Sequence, residues 1–330
     1  MKLLFVFTGG TIGSTEISKS IGLEHGKGYR LIEAYREKYS VDFSYDTVEP
    51  YTLLSENLTG EHIRSLVGCV LDGIREGYDG IVVTHGTDTL QYTSAAIGYC
   101  VPIDSIPVCI VSANRPIEHP HSNGLTNLHA AITFIIEGRG GGVFVPYLND
   151  GEDITYIHRA TRLMGGIPFS DRVESIKGGY YGYYGSDMVY RANETYLSNG
   201  DISGSLSAER LGDSCESIHV VLPYPSIAYP VIPDTVKYII TYTYHSGTLD
   251  TESGRARDFY NDMKRRGIKV FAVGTTGGAQ YESTLAYTEL GITRLTDISP
   301  VAAYMKLWLI DSMGAPIEHL YGSIGEDVVE

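Results

Sequence analysis

The sequence is short of positive charge. Its 25 Lys+Arg stand against 40 Asp+Glu, a net charge of −15 at neutral pH. Such an excess repels nucleic acid and anionic membranes, so neither is expected as a main partner. Long apolar runs are also missing, and none approaches the roughly 20 residues needed to cross a bilayer. The apolar stretch at residues 3–7 is shorter than the ~7–15 residues of a signal-peptide core, and Thr8-Gly9-Gly10 ends it. It reads as a first β-strand, and the protein as cytoplasmic. Cysteine is scarce. Cys69, Cys100, Cys109 and Cys215 show no Cys-x-x-Cys spacing, which argues for free buried thiols.

What is present is a folded, globular composition. Of the 330 residues 43% are apolar and 20% charged, and a chain of ~300 residues buries roughly three quarters of its unfolded surface. That length also lies near the point where one core splits into two.

The first half alternates strand and helix signals. Apolar strands are expected at residues 3–7, 81–84, 108–112 and 142–147. Between them, residues 59–78 carry Ile63, Leu66, Val67, Val70, Leu71 and Ile74 at helical spacing. Further helices are expected over 87–99 and 127–136. This rhythm predicts an α/β fold with a mostly parallel, doubly wound sheet, which binds ligands at the carboxyl ends of its strands. The pattern breaks at about 178–215, in a Gly/Tyr-biased stretch read as the link between domains. It resumes with strands at 217–222, 236–241 and 270–274 and helices at 252–266 and 301–312. The division expected is a larger N-terminal domain over 1–190, a connector over 191–215 and a smaller C-terminal α/β domain over 216–330.

Two loops carry the chemistry. Thr8-Gly9-Gly10-Thr11-Ile12-Gly13-Ser14 follows the first strand, and its glycines let backbone N–H groups approach a ligand. As a dinucleotide loop it would need Gly at position 8, where Thr stands, although Glu33 lies about where a ribose-binding acid belongs. A hydroxyl amid backbone donors suits acyl transfer better, with Thr11 as nucleophile and neighbouring N–H groups holding the oxyanion. The second loop, Thr84-His85-Gly86-Thr87-Asp88-Thr89-Leu90, follows another strand and opens a helix. Thr87 and Asp88 at that helix start suit either an anion site or simple N-capping. Two Thr-bearing Gly turns at the ends of two parallel strands are more specific than either alone.

Together Thr8-Gly9-Gly10-Thr11-Ile12-Gly13 and His85-Gly86-Thr87-Asp88-Thr89-Leu90 resemble the two signature motifs of the bacterial-type L-asparaginase (asparaginase/glutaminase) family. Residues 52–58, 112–128 and 218–228 are similar to further family stretches, so the resemblance runs in order through most of 1–310. It implies hydrolysis of the asparagine side-chain amide with release of ammonia, no metal or other cofactor, and a homodimer or homotetramer whose sites are completed by a neighbour. It implies Thr11 as first catalytic Thr, Thr87 with Asp88 as the second pair, Ser55 on the substrate α-carboxylate, and Asp88 also on its α-ammonium. Gly10 and Gly86 are expected to let backbone approach the substrate.

The sequence also departs from the family. Arg162 aligns with a Lys that activates the second Thr. An Arg stays protonated and cannot act as base, but it suits a bidentate pair with Asp88. Glu56 stands where the family usually has Gln or Ser, and either binds the substrate ammonium, balances Arg162 or is simply solvated. The family's activating Tyr is missing from residues 14–27, which makes Tyr29 the nearest candidate. Ser246, Thr248, Tyr281 and Glu282 are candidates to face a neighbouring subunit.

Three readings follow: an asparaginase-type amidohydrolase, a same-fold enzyme for another amide (glutamine, a dipeptide or a carrier-bound amide), and an amino-acid-binding sensor with weak turnover. His119-Pro120-His121 lies in a loop without further ligands and is not read as a metal site. His85 is read as orienting the Gly86 turn. The loop over 14–29, with Gly22, Gly26 and Gly28, suits closure over substrate.

Overall fold

The computed structural model describes residues 1–10, 30–198, 206–278 and 281–329 in full, and the backbone alone at 14–17, 20–23 and 28–29. The chain runs β1 (Lys2–Phe7), β2 (Ser14–Ile17), β3 (Ser20–Leu23), α1 (Gly28–Tyr39), β4 (Ser44–Val48), α2 (Gly60–Arg75), β5 (Gly80–Thr84), α3 (Leu90–Cys100), β6 (Pro107–Val111), α4 (Gly124–Ile136), β7 (Gly142–Leu148), β8 (Thr155–Arg159), β9 (Gly182–Tyr184) and β10 (Tyr190–Ala192). These strands form an eight-stranded sheet in the order β10-β9-β8-β7-β6-β5-β1-β4 and a separate β2–β3 hairpin. Pairing is parallel from β4 to β7 and antiparallel from β7 to β10.

Strand alternation explains the double winding. In β1, Leu4 and Val6 point into a core shared with α2 and α3. Leu3, Phe5 and Phe7 point to the other face, against α1 and α4. The helical stripe anticipated at 59–78 is α2, opened by a capping box between Thr59 and His62.

The Gly/Tyr stretch after 178 does not merely link domains. Its residues 182–184 and 190–192 are β9 and β10, the antiparallel edge of the large sheet. Aromatic packing holds them there: Tyr181 meets Phe144 at 4.9 Å between ring centroids, and Tyr184 meets Tyr190 at 5.5 Å.

The second sheet is β11 (Ile218–Val221), β12 (Tyr238–Tyr242), β13 (Lys269–Thr275) and β14 (Ile292–Thr296), all parallel. Helix α5 (Gly254–Arg266) covers one face through Ala256, Phe259, Tyr260 and Met263. After the short α6 (Glu282–Leu285), α7 (Pro300–Met313) covers the other face and packs on α3 of the first unit. Ser299 caps α7 and Gly314, at φ +66°, ends it. The two sheets are thus joined through a common core, and a cleft opens where strand ends of both converge.

Candidate active site

Strands β1 and β5 are neighbours in register, Phe7 beside Thr84, so the loops after them emerge side by side. The Thr8 hydroxyl donates to the Thr84 carbonyl at 2.6 Å and the Thr8 N–H to Thr84 Oγ1 at 3.4 Å. Gly9 and Gly10 then take φ of +95° and +80°, a region that disfavours side chains. Gly10 lies back to back with the second loop, where an added Cβ would sit 2.4 Å from the Gly86 nitrogen. A third segment closes on the same point. The Leu53 N–H donates to the Thr8 carbonyl at 3.2 Å, which brings in the 3₁₀ turn Ser55–Asn57. A Cβ on Gly86 would lie 2.5 Å from Ser55 Oγ. Gly10, Gly86 and Ser55 therefore form one close-packed floor.

Buried Ser55 reaches Asp88, donating to Oδ2 at 3.5 Å, while the Thr89 hydroxyl donates to the Ser55 carbonyl at 2.9 Å. Helix α3 starts only at Leu90, and no side chain caps it. Thr87 and Asp88 therefore occupy the turn ahead of the helix and line the cleft rather than capping. His85 is fully buried. Its Nδ1–H donates to the Gly86 carbonyl at 2.8 Å, and burial pushes its pKa down to about 4, so it is a neutral strut under the turn. Behind it, Ser112 donates to the His85 carbonyl at 2.7 Å and Asn127 to the Ser112 carbonyl at 2.9 Å. Asn127 also accepts from the Leu148 N–H at 2.8 Å. The resemblance at 112–128 is thus a scaffold of polar side chains that fixes the second loop.

The cleft has a volume of about 1110 Å³. Thr87, Asp88 and Gln91 line it on one side, and residues 242–245 at the end of β12 line it on the other. Residues 163–173 form a wall that sequence reasoning did not single out. Its Ile167 and Phe169 are exposed, and because that exposure exists only in the fold, no local sequence pattern marks the wall. Gln91 was also missed; its amide donates to the Asp88 carbonyl at 3.4 Å.

Arg162 is a correction. It was expected beside Asp88, but its side chain is fully buried and turned away from the cleft. Its Nε–H donates to the Glu326 carbonyl at 2.6 Å, one terminal nitrogen to the Leu197 carbonyl at 2.7 Å and the other to the Gly179 carbonyl at 3.5 Å. The guanidinium lies 4.1 Å from the Tyr196 ring centroid. Arg162 belongs to the 3₁₀ turn Ala160–Arg162, and it is Leu163, one residue on, that faces the cleft. Arg162 is a clamp on the segment around Glu326, and no ion pair joins it to Asp88 among the described residues. Nor does Glu56 balance it, since Glu56 is exposed in the turn beside Ser55. The arginine in the cleft wall, Arg172, pairs with Glu152 at 2.7 Å and Glu174 at 3.1 Å.

Thr11 and the side chain of Tyr29 lie outside the described residues. Of the loop over 14–29, the backbone of β2 and β3 forms a hairpin. The Ser246 and Thr248 hydroxyls are 3.0 Å apart, Tyr281 is exposed, and Glu282 opens α6. His119 takes up local contacts: its Nδ1 accepts from the His121 N–H at 3.2 Å, and its Nε2 lies 3.5 Å from Arg115.

The chain that carries these turns is similar to known proteins. Residues 2–165, about half of the chain, match the family described as asparaginase, N-terminal. The chain belongs to the asparaginase family. An L-asparaginase of Thermococcus kodakarensis is 34% identical over 163 residues, 48% of each chain. A glutamyl-tRNA(Gln) amidotransferase component from Methanosarcina barkeri is 32% identical over 112 residues, 34% of this chain and 26% of that one. The matches thus span about half or less of these curated relatives. In fold the likeness runs the full length of the chain. The thermostable L-asparaginase from Thermococcus kodakarensis superposes with a TM-score of 0.79 at 22% identity, covering 100% of both chains. L-asparaginase I from Vibrio cholerae gives 0.77 at 18% identity, covering 100% and 99%. The α/β fold with a smaller second parallel sheet is therefore that of the asparaginase structures.

Proposed function

We propose that this asparaginase-family protein hydrolyses the side-chain amide of L-asparagine to L-aspartate and ammonia. The observation that carries the reading is the convergence of Gly10, Gly86, Ser55 and Asp88 at the carboxyl ends of two adjacent parallel strands. Backbone N–H groups exposed by such glycine turns stabilise an oxyanion. In the proposed reaction the Thr11 hydroxyl oxygen bonds to the amide carbon and the C–N bond breaks. Ammonia leaves with the hydroxyl proton, and water then hydrolyses the Thr11 ester. Tyr29 is the proposed neighbour of Thr11. Thr87 and Asp88 orient the water, Ser55 holds the α-carboxylate, and Asp88 with Glu56 holds the α-ammonium. Arg162 has no place in these steps.

One observation favours a second reading, an amidohydrolase for a larger amide such as glutamine, a dipeptide or a carrier-bound amide. The cleft of about 1110 Å³ lies just above the ~300–1,000 Å³ range typical of ligand pockets, and a free amino acid is far smaller. The relatives include amidotransferase components as well as L-asparaginases. No described helix is long and apolar enough to cross a membrane, and we place the protein in the cytoplasm.

Ammonia release from asparagine, glutamine and Asn-containing dipeptides separates the readings. Highest kcat/KM on asparagine supports the first and highest on a dipeptide the second. Tight aspartate binding without turnover of any amide would leave only a binding protein.

A further inference from the structure

Behind the cleft lies a second cavity of about 430 Å³, within the ~300–1,000 Å³ range typical of small-molecule sites. It opens between the two α/β units, bounded by α2 and α3 on one side and by β11, β12 and α7 on the other. Its walls are aromatic and aliphatic. Tyr92, Tyr242, Tyr304 and Trp308 supply the rings and Leu58, Ile63, Val220 and Met305 the aliphatic part, beside a smaller polar share. The rings stand at angles to one another: Tyr92 meets Tyr304 at 6.2 Å and 87°, and Tyr304 meets Trp308 at 6.0 Å and 52°. Aromatic faces attract a cation through their negative quadrupole, and four rings line this one cavity. The charge of the lining agrees. Asp213 is the acidic residue at the rim, and no Lys, Arg or His lines the cavity among the described residues.

The cavity also touches the amide site. Tyr92 and Tyr242 line both spaces. Thr89 lines the second cavity, while its hydroxyl donates to the carbonyl of Ser55, whose own hydroxyl reaches Asp88. We propose that this cavity binds a small organic cation with an apolar or aromatic body, and that an occupant shifts substrate affinity through Thr89, Tyr92 and Tyr242. The second half rests on the amidohydrolase reading; the first does not.

The chain carries its own probe. Trp308 is the single tryptophan and lines the cavity, so its fluorescence reports occupancy without any assay of activity. The experiment titrates the full chain with phenethylammonium and, separately, with 3-phenylpropionate, an anion of similar size. A saturable change with phenethylammonium, at least tenfold weaker with phenylpropionate, is expected. Val220→Phe, which fills the cavity, and Asp213→Asn, which removes the rim acid, should each weaken phenethylammonium at least fivefold. Asp213 is exposed, so its substitution leaves the fold intact even if Val220→Phe does not. No saturable change, equal affinity for the anion, or an unmoved Asp213→Asn would overturn the site. In the ammonia assay, saturating phenethylammonium should change the KM for the amide at least threefold in wild type and leave it unchanged in Val220→Phe. An unchanged wild-type KM overturns the coupling. If wild type releases no ammonia from any amide while the titration holds, the functional reading falls and the binding site stands.

Discussion

Arg162 and His85 show how differently two buried basic residue types are used, one as a charged clamp and one as a neutral strut. The three Arg162 hydrogen bonds go to backbone carbonyls, and a guanidinium supplies that fork where an ammonium cannot. Next to it Arg159 pairs with Glu326 at 2.8 Å, both nearly buried. Arg162→Met leaves these buried acceptors without donors and should cost about 3 kcal/mol or more of stability, read by urea denaturation. Arg162→Lys should also destabilise, without raising kcat; a many-fold rise in kcat would return the residue to the active site. Gly10→Ala meets both a φ of +80° and the Gly86 nitrogen at 2.4 Å. Displacing that turn by an ångström should lower kcat/KM about 100-fold while circular dichroism stays unchanged. Burial depresses His85 to about 4 and His158 to about 3 from the ordinary 6.5. Both are neutral in the folded state, so the unfolded state gains protons first as pH falls. Stability should therefore be full above pH 6.5. It should decline by roughly 1.4 kcal/mol per pH unit for each histidine, as far as about pH 4 for His85 and pH 3 for His158. A flat urea midpoint between pH 6.5 and 4.5 would contradict this.

At the scale of elements, periodicity made α2 readable, because its apolar stripe repeats at helical spacing, whereas α7 is apolar and buried nearly all round. The buried β5 and β6 were readable as short apolar runs. What stayed hidden has physical reasons. The tyrosines of β9 and β10 pack through ring contacts from Phe144 and Phe134 that no local pattern reveals. The candidate site was legible as two Thr-Gly loops that the fold sets side by side, but the direction of Arg162 was not. Successive residues of a 3₁₀ turn point to different sides, and the tertiary partner, residues 322–329, lies over 160 positions away in sequence. That segment is held by a second buried contact, Lys306 to Asp327 at 2.8 Å with both side chains at 0% exposure. Tyr99 at the end of α3 also donates to Asp327, at 2.8 Å. Since α3 carries the site turn at its other end, Asp327→Asn should loosen that helix, seen as faster amide hydrogen exchange across 90–100 with the second sheet unchanged.

For the whole molecule, the two sheets place strand ends around one cleft, and the surface near residues 281–285 exposes Tyr281 and Leu285. The family resemblance implies an assembly of two or four 36.2 kDa chains, to be read by sedimentation equilibrium; a monomer at micromolar concentration would contradict that implication. The net charge of −15 that excluded polyanions says nothing against a zwitterionic substrate. Under the proposed function Ser55, Asp88 and backbone N–H groups would meet that substrate, rather than a net field. The most direct test is ammonia release from asparagine by wild type and Thr11→Ala measured side by side. The account predicts steady turnover by wild type and a loss of at least 1,000-fold, about 4 kcal/mol of barrier, in a Thr11→Ala protein that still binds aspartate. Near-wild-type rates in Thr11→Ala, or no ammonia from wild type with any amide, would contradict it.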